Sequence, residues 1–214
     1  IPGTREQSII AEARTALLAD IATLRGTPGL TQVGLTGSPF IRDAELTATV
    51  DNLRHSLPIA AVGALALLII AFRSLRYALV TIVPIGLVVV WLYAIMEVAG
   101  FSLNFVSATI GAVSIGVGID YSIHMTERFR EEIARSSTRL DALRRATGGT
   151  GVALLASAGS SVVGFAIMGF APMPMFSTYG ILTALMISLA LIAALAVLPS
   201  LLMVVTPEHG QESE

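Results

Sequence analysis

Phe105-Val-Ser-Ala-Thr-Ile-Gly-Ala-Val-Ser-Ile-Gly-Val-Gly-Ile-Asp120-Tyr121-Ser-Ile-His124-Met125 decides how this chain folds. From Phe105 to Ile119 every residue is apolar or small, and serine and threonine hydroxyls are the only polar side-chain groups. A helix on the surface of a soluble domain would carry a charged face through such a stretch. This one carries no charge until Asp120. A membrane crossing takes about 20 mostly apolar residues, within a range of about 17–25, and residues 103–125 supply that length. Four further runs of the same kind lie at about 56–72, 77–96, 151–170 and 179–205. The first is at the short limit and the last is long enough to tilt.

Composition points the same way. The 214 residues are 54% hydrophobic and 13% charged, with a mean hydropathy of +0.79. A soluble fold carries roughly 25% charged residues, so a soluble enzyme, a nucleic-acid binder and a disordered scaffold are all poor readings. A net charge of −2 and a pI of about 5.9 leave no basic field for phosphate backbones, and no nucleic-acid partner is expected. Without cysteine there are no disulfides, thiolate metal sites or cysteine nucleophiles. All 13 basic residues are arginine, which removes Schiff-base and P-loop lysine chemistry. The expected fold class is an all-α membrane protein with five transmembrane helices over 43–205, in contact with a lipid bilayer.

Arginines set the expected orientation. Arg73 and Arg76 lie in one connection, and Arg128, Arg130, Arg135, Arg139, Arg144 and Arg145 follow the third run. The opposite connections, 97–102 and 171–178, have none. The positive-inside rule therefore places both arginine-bearing connections in the cytoplasm of an inner (cytoplasmic) membrane protein. The N-terminal segment is then outside and the tail 206–214 inside.

Residues 1–42 read as a small α/β segment outside the membrane. Thr4–Arg25 has apolar residues at helical spacing, Leu30–Thr36 alternates as a short strand, and Gly37-Ser-Pro39 reads as a turn. A second helix, Glu45–His55, is expected to run straight into the first span. One helix and one strand make no core of their own. Partners for the strand are expected in other sequence, and the chain is expected to be a C-terminal fragment.

Asp120 is the one acid well inside a span. Seven residues separate it from Glu127, roughly 10 Å at 1.5 Å per residue. An aspartate at mid-helix costs on the order of 2.5–3.5 kcal/mol to insert, and intramembrane carboxylates typically mark ion or proton pathways. Ser107, Gly111, Ser114, Gly118 and Tyr121 fall on one face, a stripe of small residues suited to close helix packing. Gly116 lies above Asp120 and His124 one turn below, on the carboxylate's own face. In the fourth span Ala156, Ser160 and Gly164 form a similar stripe, and Ser160 or Ser161 is a candidate hydrogen-bond partner for Asp120. Gly111, Ser114, Gly116, Gly118 and Gly164 are the expected packing residues. Residues 127–145 read as a charged amphipathic helix along the cytoplasmic face, with Phe129, Ile133, Leu140 and Leu143 as its apolar side.

Gly116-Val-Gly-Ile-Asp-Tyr121, followed by Ser-Ile-His and an Arg/Glu-rich helix, resembles the fourth helix of a half-unit in the RND (resistance–nodulation–cell division) superfamily. The nearest resemblance is to the MMPL and hydrophobe-exporter branch, whose five-helix core is also similar to the sterol-sensing domain. Leu35-Thr-Gly-Ser-Pro39 resembles the end of the porter domain, and Phe72-Arg-Ser-Leu-Arg76 the short loop after the next helix. Val163-Gly-Phe165, Tyr179-Gly-Ile-Leu-Thr183 and Leu198-Pro-Ser-Leu-Leu202 resemble the last two helices. The resemblance covers about 35–205.

By this resemblance the chain is one RND half-unit, with residues 1–42 a remnant of an extracytoplasmic porter domain. Asp120 and Tyr121 are then proton-relay candidates, supported by His124, Ser160 and Ser161. Protons are the coupling ion, with no cofactor and no metal. The implied activity is proton-driven export of lipids or other hydrophobic compounds, in partnership with a missing N-terminal half or a second RND half. The alternatives are a lipid-binding regulatory module of the sterol-sensing kind and a SecDF-like aid to protein export. An enzyme is not expected, because His55 and His209 lie outside the spans and no Gly-x-Ser-x-Gly nucleophile motif appears.

Overall fold

The computed structural model describes residues 2–24, 38–101 and 105–206. The elements are α1 (Pro2–Leu24), α2 (Ser38–Phe72), α3 (Leu75–Ala99), α4 (Phe105–Ile133), α5 (Arg139–Met168), α6 (Pro174–Ile192), a π-helical turn (Ala193–Val197) and α7 (Leu198–Val205). No strand occurs among the described residues. The chain divides into two compact units, residues 1–52 and 53–214.

In the first unit, α1 covers the helix expected from Thr4. The strand expected at 30–36 lies outside the described residues. Ser38 and Pro39, expected in a turn, open α2 instead. Proline is tolerated in the first turn of a helix, where its missing N–H has no intrahelical partner to lose. From Ser38, α2 continues without a break into the first apolar run.

The second unit is a bundle in which α6 packs against α3, α4 and α5. Two glycines face it at ordinary packing distance. A Cβ on Gly118 of α4 would sit 3.7 Å from Ala190 Cβ, and one on Gly151 of α5 would sit 3.4 Å from Leu195 Cδ2 in the π turn. Short connections make consecutive helices antiparallel, so α4 and α6 run parallel. Val88, Leu92, Met96, Ile110, Tyr121, Leu182 and Met186 belong to the main core. At the arginine-rich end Val80, Met125, Phe129, Ala142, Leu198 and Leu202 form a second core. The outer surface keeps Ile59, Ile70, Val90 and Ile167 well exposed, as a lipid solvent permits. The π turn precedes Pro199, whose missing N–H leaves a carbonyl of the preceding turn unpaired and favours a local change of helical pitch.

Among the described residues, four helices are long and apolar enough to cross a bilayer: Asp51–Phe72, Leu75–Ala99, Arg139–Met168 and Pro174–Val205. The chain is a multi-pass membrane protein, helical throughout its described residues. The third of the five expected spans is α4. It is not among these four.

The helix expected over 127–145 also differs. α4 continues to Ile133, and α5 begins at Arg139. The break is chemical. The Thr138 hydroxyl accepts the Asp141 backbone N–H at 3.2 Å and caps a new helix. At the other end of the bundle Gly100 closes α3 in the left-handed conformation (φ 73°), with Phe101 N–H donating to Met96 O at 2.9 Å.

Candidate functional site

α4 presents two unlike faces. Ser107, Gly111, Ser114, Gly118 and Tyr121 all lie on the packed face, and Tyr121 is 8% exposed within the main core. Gly116, Asp120 and His124, four residues apart, lie on the open face and are exposed. The carboxyl group and the phenol are neighbours in sequence. Their side chains nevertheless serve different surfaces.

Gly118 accommodates Ala190, and Gly111 accommodates the end of Tyr93: a side chain at Gly111 would collide with the Tyr93 hydroxyl. Ser114 is buried, and its hydroxyl donates to Ile110 O at 2.9 Å. Gly116 and Gly164, expected as packing residues, meet nothing within 4 Å of an added Cβ. Gly116 sits on the Asp120 face and Gly164 on the outer side of α5, so neither packs within this unit.

Ser160 and Ser161 are not brought to Asp120. Ser161 donates to Ser157 O at 3.3 Å, and Ser160 is exposed. Register explains the separation. Gly118 faces Ala190, and Gly151 faces Leu195 five residues further on. That puts Gly151 level with about residue 123 of α4, and Ser160 roughly 9 Å from Asp120 along the axis. Among the described residues Asp120 has no hydrogen-bond partner.

A polar cluster at the arginine-rich end was not anticipated. Thr81 donates to Tyr77 O at 2.7 Å, so Thr126 is the donor in the 2.9 Å Thr126–Thr81 bond between α4 and α3. By the same logic Thr206 donates to Leu202 O, and Tyr77 donates to Thr206 Oγ1 at 3.2 Å. The Arg130 guanidinium lies 5.5 Å from the Phe72 ring centroid and 5.1 Å from that of Tyr77. Arg139 donates to Met203 O at 2.9 Å and Thr206 O at 2.6 Å. Arg128 pairs with the buried Glu132 at 2.7 Å. The sequence signal was the placing of threonines in otherwise apolar helices, each alone too weak to pair. Two more hydroxyls in the core, Tyr93 OH and Thr183 Oγ1, are buried without a hydrogen-bond partner.

Several helices long and apolar enough to cross a bilayer define a multi-pass membrane protein. The family model for the MMPL family matches residues 2–211. The chain belongs to the MMPL family, whose members are transporters rather than enzymes. It is 31% identical over 177 residues to MJ1562 of Methanocaldococcus jannaschii, covering 83% of this chain and 45% of that protein. It is 31% identical over 175 residues to MmpL12 of Mycobacterium tuberculosis, covering 79% of this chain and 15% of that protein. It is also 26% identical over 200 residues to the sulfolipid-1 exporter MmpL8 of Mycobacterium tuberculosis, covering 91% of this chain and 18% of that protein. The chain thus spans less than half the length of each relative.

Proposed function

We propose that this chain is one half of an RND-type secondary transporter that exports lipids or other hydrophobic compounds, driven by the proton-motive force, with Asp120 and Tyr121 as its proton relay. In this reading α4 also crosses the membrane, as the third of five transmembrane helices. The arginine-rich end lies in the cytoplasm and the N-terminal segment outside the inner membrane.

The exposed position of Asp120 at bilayer depth carries the reading. Inserting such a carboxylate costs about 2.5–3.5 kcal/mol, and nothing within the unit offsets it. The Gly116-Asp120-His124 strip is therefore covered in the complete transporter, by an N-terminal half or a second RND half. Water and facing polar groups there let Asp120 take up and release a proton, and His124 one turn away supports the exchange. Each proton crossing supplies roughly 2.3 kcal/mol per 100 mV. The similarity to a sulfolipid-1 exporter supports a lipid or other hydrophobic cargo.

The test is export by the full-length protein carrying Asp120→Asn, which keeps shape and removes the titrating group. Loss of proton-dependent export with normal membrane insertion is expected. Near-normal export refutes the assignment, and lipid binding indifferent to pH favours a sterol-sensing type of module.

A further inference from the structure

The two unpaired core hydroxyls are brought together by helix register. Thr183 on α6 is 3% exposed, and its Oγ1 has no partner. The Tyr93 hydroxyl on α3 is likewise buried and unpaired, and it abuts Gly111 on α4. Gly111 precedes Gly118 by seven residues, and Thr183 precedes Ala190 by the same number. Gly118 and Ala190 touch and the helices are parallel, so two turns back, about 10 Å, Gly111 and Thr183 share a level on the faces that meet. The Tyr93 hydroxyl therefore sits in the α3–α4–α6 seam at the height of Thr183. Around it the seam is apolar, with Met96, Leu182 and Met186.

An unpaired hydroxyl in such surroundings costs about 1–3 kcal/mol, and two at one level call for a shared polar guest. Water both donates and accepts, as this pair requires. A metal cation does not fit: Glu97, one turn from Tyr93 on α3, is exposed, and no group of three His, Cys, Asp or Glu that could hold a metal occurs among the described residues. We propose that Tyr93 and Thr183 hold an internal water site, and that this site is a way station for protons moving between the arginine-free end of the bundle and Tyr121. The proposal rests on the Asp120–Tyr121 reading above. Tyr121 lies on the same buried stripe of α4, with the Ser114 hydroxyl between. In each transfer a hydroxyl or water gives one proton onward and takes one from behind, so every oxygen ends neutral. The other ionisable groups on these helices are Asp120 and His124 on the open face of α4, Glu97 at the end of α3, Tyr179 at the start of α6, and, at the arginine-rich end, Arg76 and Tyr77 on α3 and Glu127, Arg128, Arg130, Glu131 and Glu132 on α4.

The experiment uses full-length protein in phosphatidylethanolamine–phosphatidylglycerol vesicles containing a trapped pH dye, with an imposed pH gradient. Tyr93→Phe and Thr183→Val each slow proton uptake by at least about tenfold, within the range of a lost acid–base group. The double variant is no slower than either single one, because both remove the same water, and Thr183→Ser restores the rate. Uptake within about twofold of the parent in both single variants overturns the proposal. So does a raised melting temperature in both, the result for hydroxyls buried dry. Asp120→Asn in the same vesicles separates the two levels. If it abolishes uptake while the hydroxyl variants do not, only the water site fails. If it leaves uptake intact, the relay reading falls with it.

Discussion

At Gly180 the α6 backbone lies against the end of α5, where an added Cβ would stand 2.6 Å from Phe165 O, 2.7 Å from Gly169 N and 2.8 Å from Met168 C. All three are backbone atoms and cannot step aside. Gly180→Ala should therefore destabilise the protein by about 1–3 kcal/mol, as overpacking of a tight interior does, measured as a lowered unfolding temperature in detergent. At Gly111 the colliding group is the end of a side chain, Tyr93, which can rotate away. Gly111→Ala should cost clearly less, and a larger loss there than at Gly180 would contradict the geometry. Gly111 was legible from its place in the Ser107–Tyr121 stripe. Its neighbour was not, because sequence periodicity shows which face of a helix packs but not which residue of another helix fills the space. The same blindness hid the Tyr93–Thr183 level and gave Ser160 a partner that sits roughly 9 Å away along the helix axis.

Among the elements, the ends of α3, α4 and α7 are tied by hydrogen bonds rather than by apolar contact alone. Interhelical side-chain hydrogen bonds inside membranes average about 0.6 kcal/mol. A double-mutant cycle of Thr81→Val and Thr126→Val should give a coupling energy of that size, and a coupling near zero would mean the bond is not formed. Arg139 holds the last carbonyls of α7 with charge-assisted hydrogen bonds. Arg139→Ala should leave the core intact but speed hydrogen exchange at residues 203–206, while residues 186–190 stay protected. Length and absence of charge locate the apolar runs, but the helices extend past them: α2 begins at Ser38, α4 continues to Ile133 and α5 begins at Arg139. The break between α4 and α5 was missed because Phe129, Ile133, Leu140 and Leu143 keep one apolar side across it. In Thr138-Arg-Leu-Asp141 the hydroxyl three residues before an acid is the capping signal that outweighs that periodicity. At α4 the reverse held: Asp120 and the small residues that made it conspicuous also weaken its hydropathy.

For the whole molecule, the unit's surface divides between groups that lipid can solvate and one strip that it cannot. Val90 and Ile70 face outward at no cost, whereas Gly116, Asp120 and His124 place a carboxylate and an imidazole along the same line of α4. Under the proposed function a second bundle covers that strip, offsetting the insertion penalty of Asp120 and leaving Val90 in lipid. The two positions can be compared directly, because this chain contains no cysteine of its own. In full-length protein with cysteines elsewhere replaced, nitroxide labels on Gly116→Cys and Val90→Cys report access to oxygen, which concentrates in the bilayer, and to a water-soluble nickel chelate. The label at Val90 should show high oxygen access. The label at Gly116 should show low oxygen access, with nickel access if the covered strip is hydrated as proton exchange at Asp120 requires. Equal, lipid-like access at both positions would leave the carboxylate facing oil in the assembled protein, and the transport reading would lose the observation that carries it.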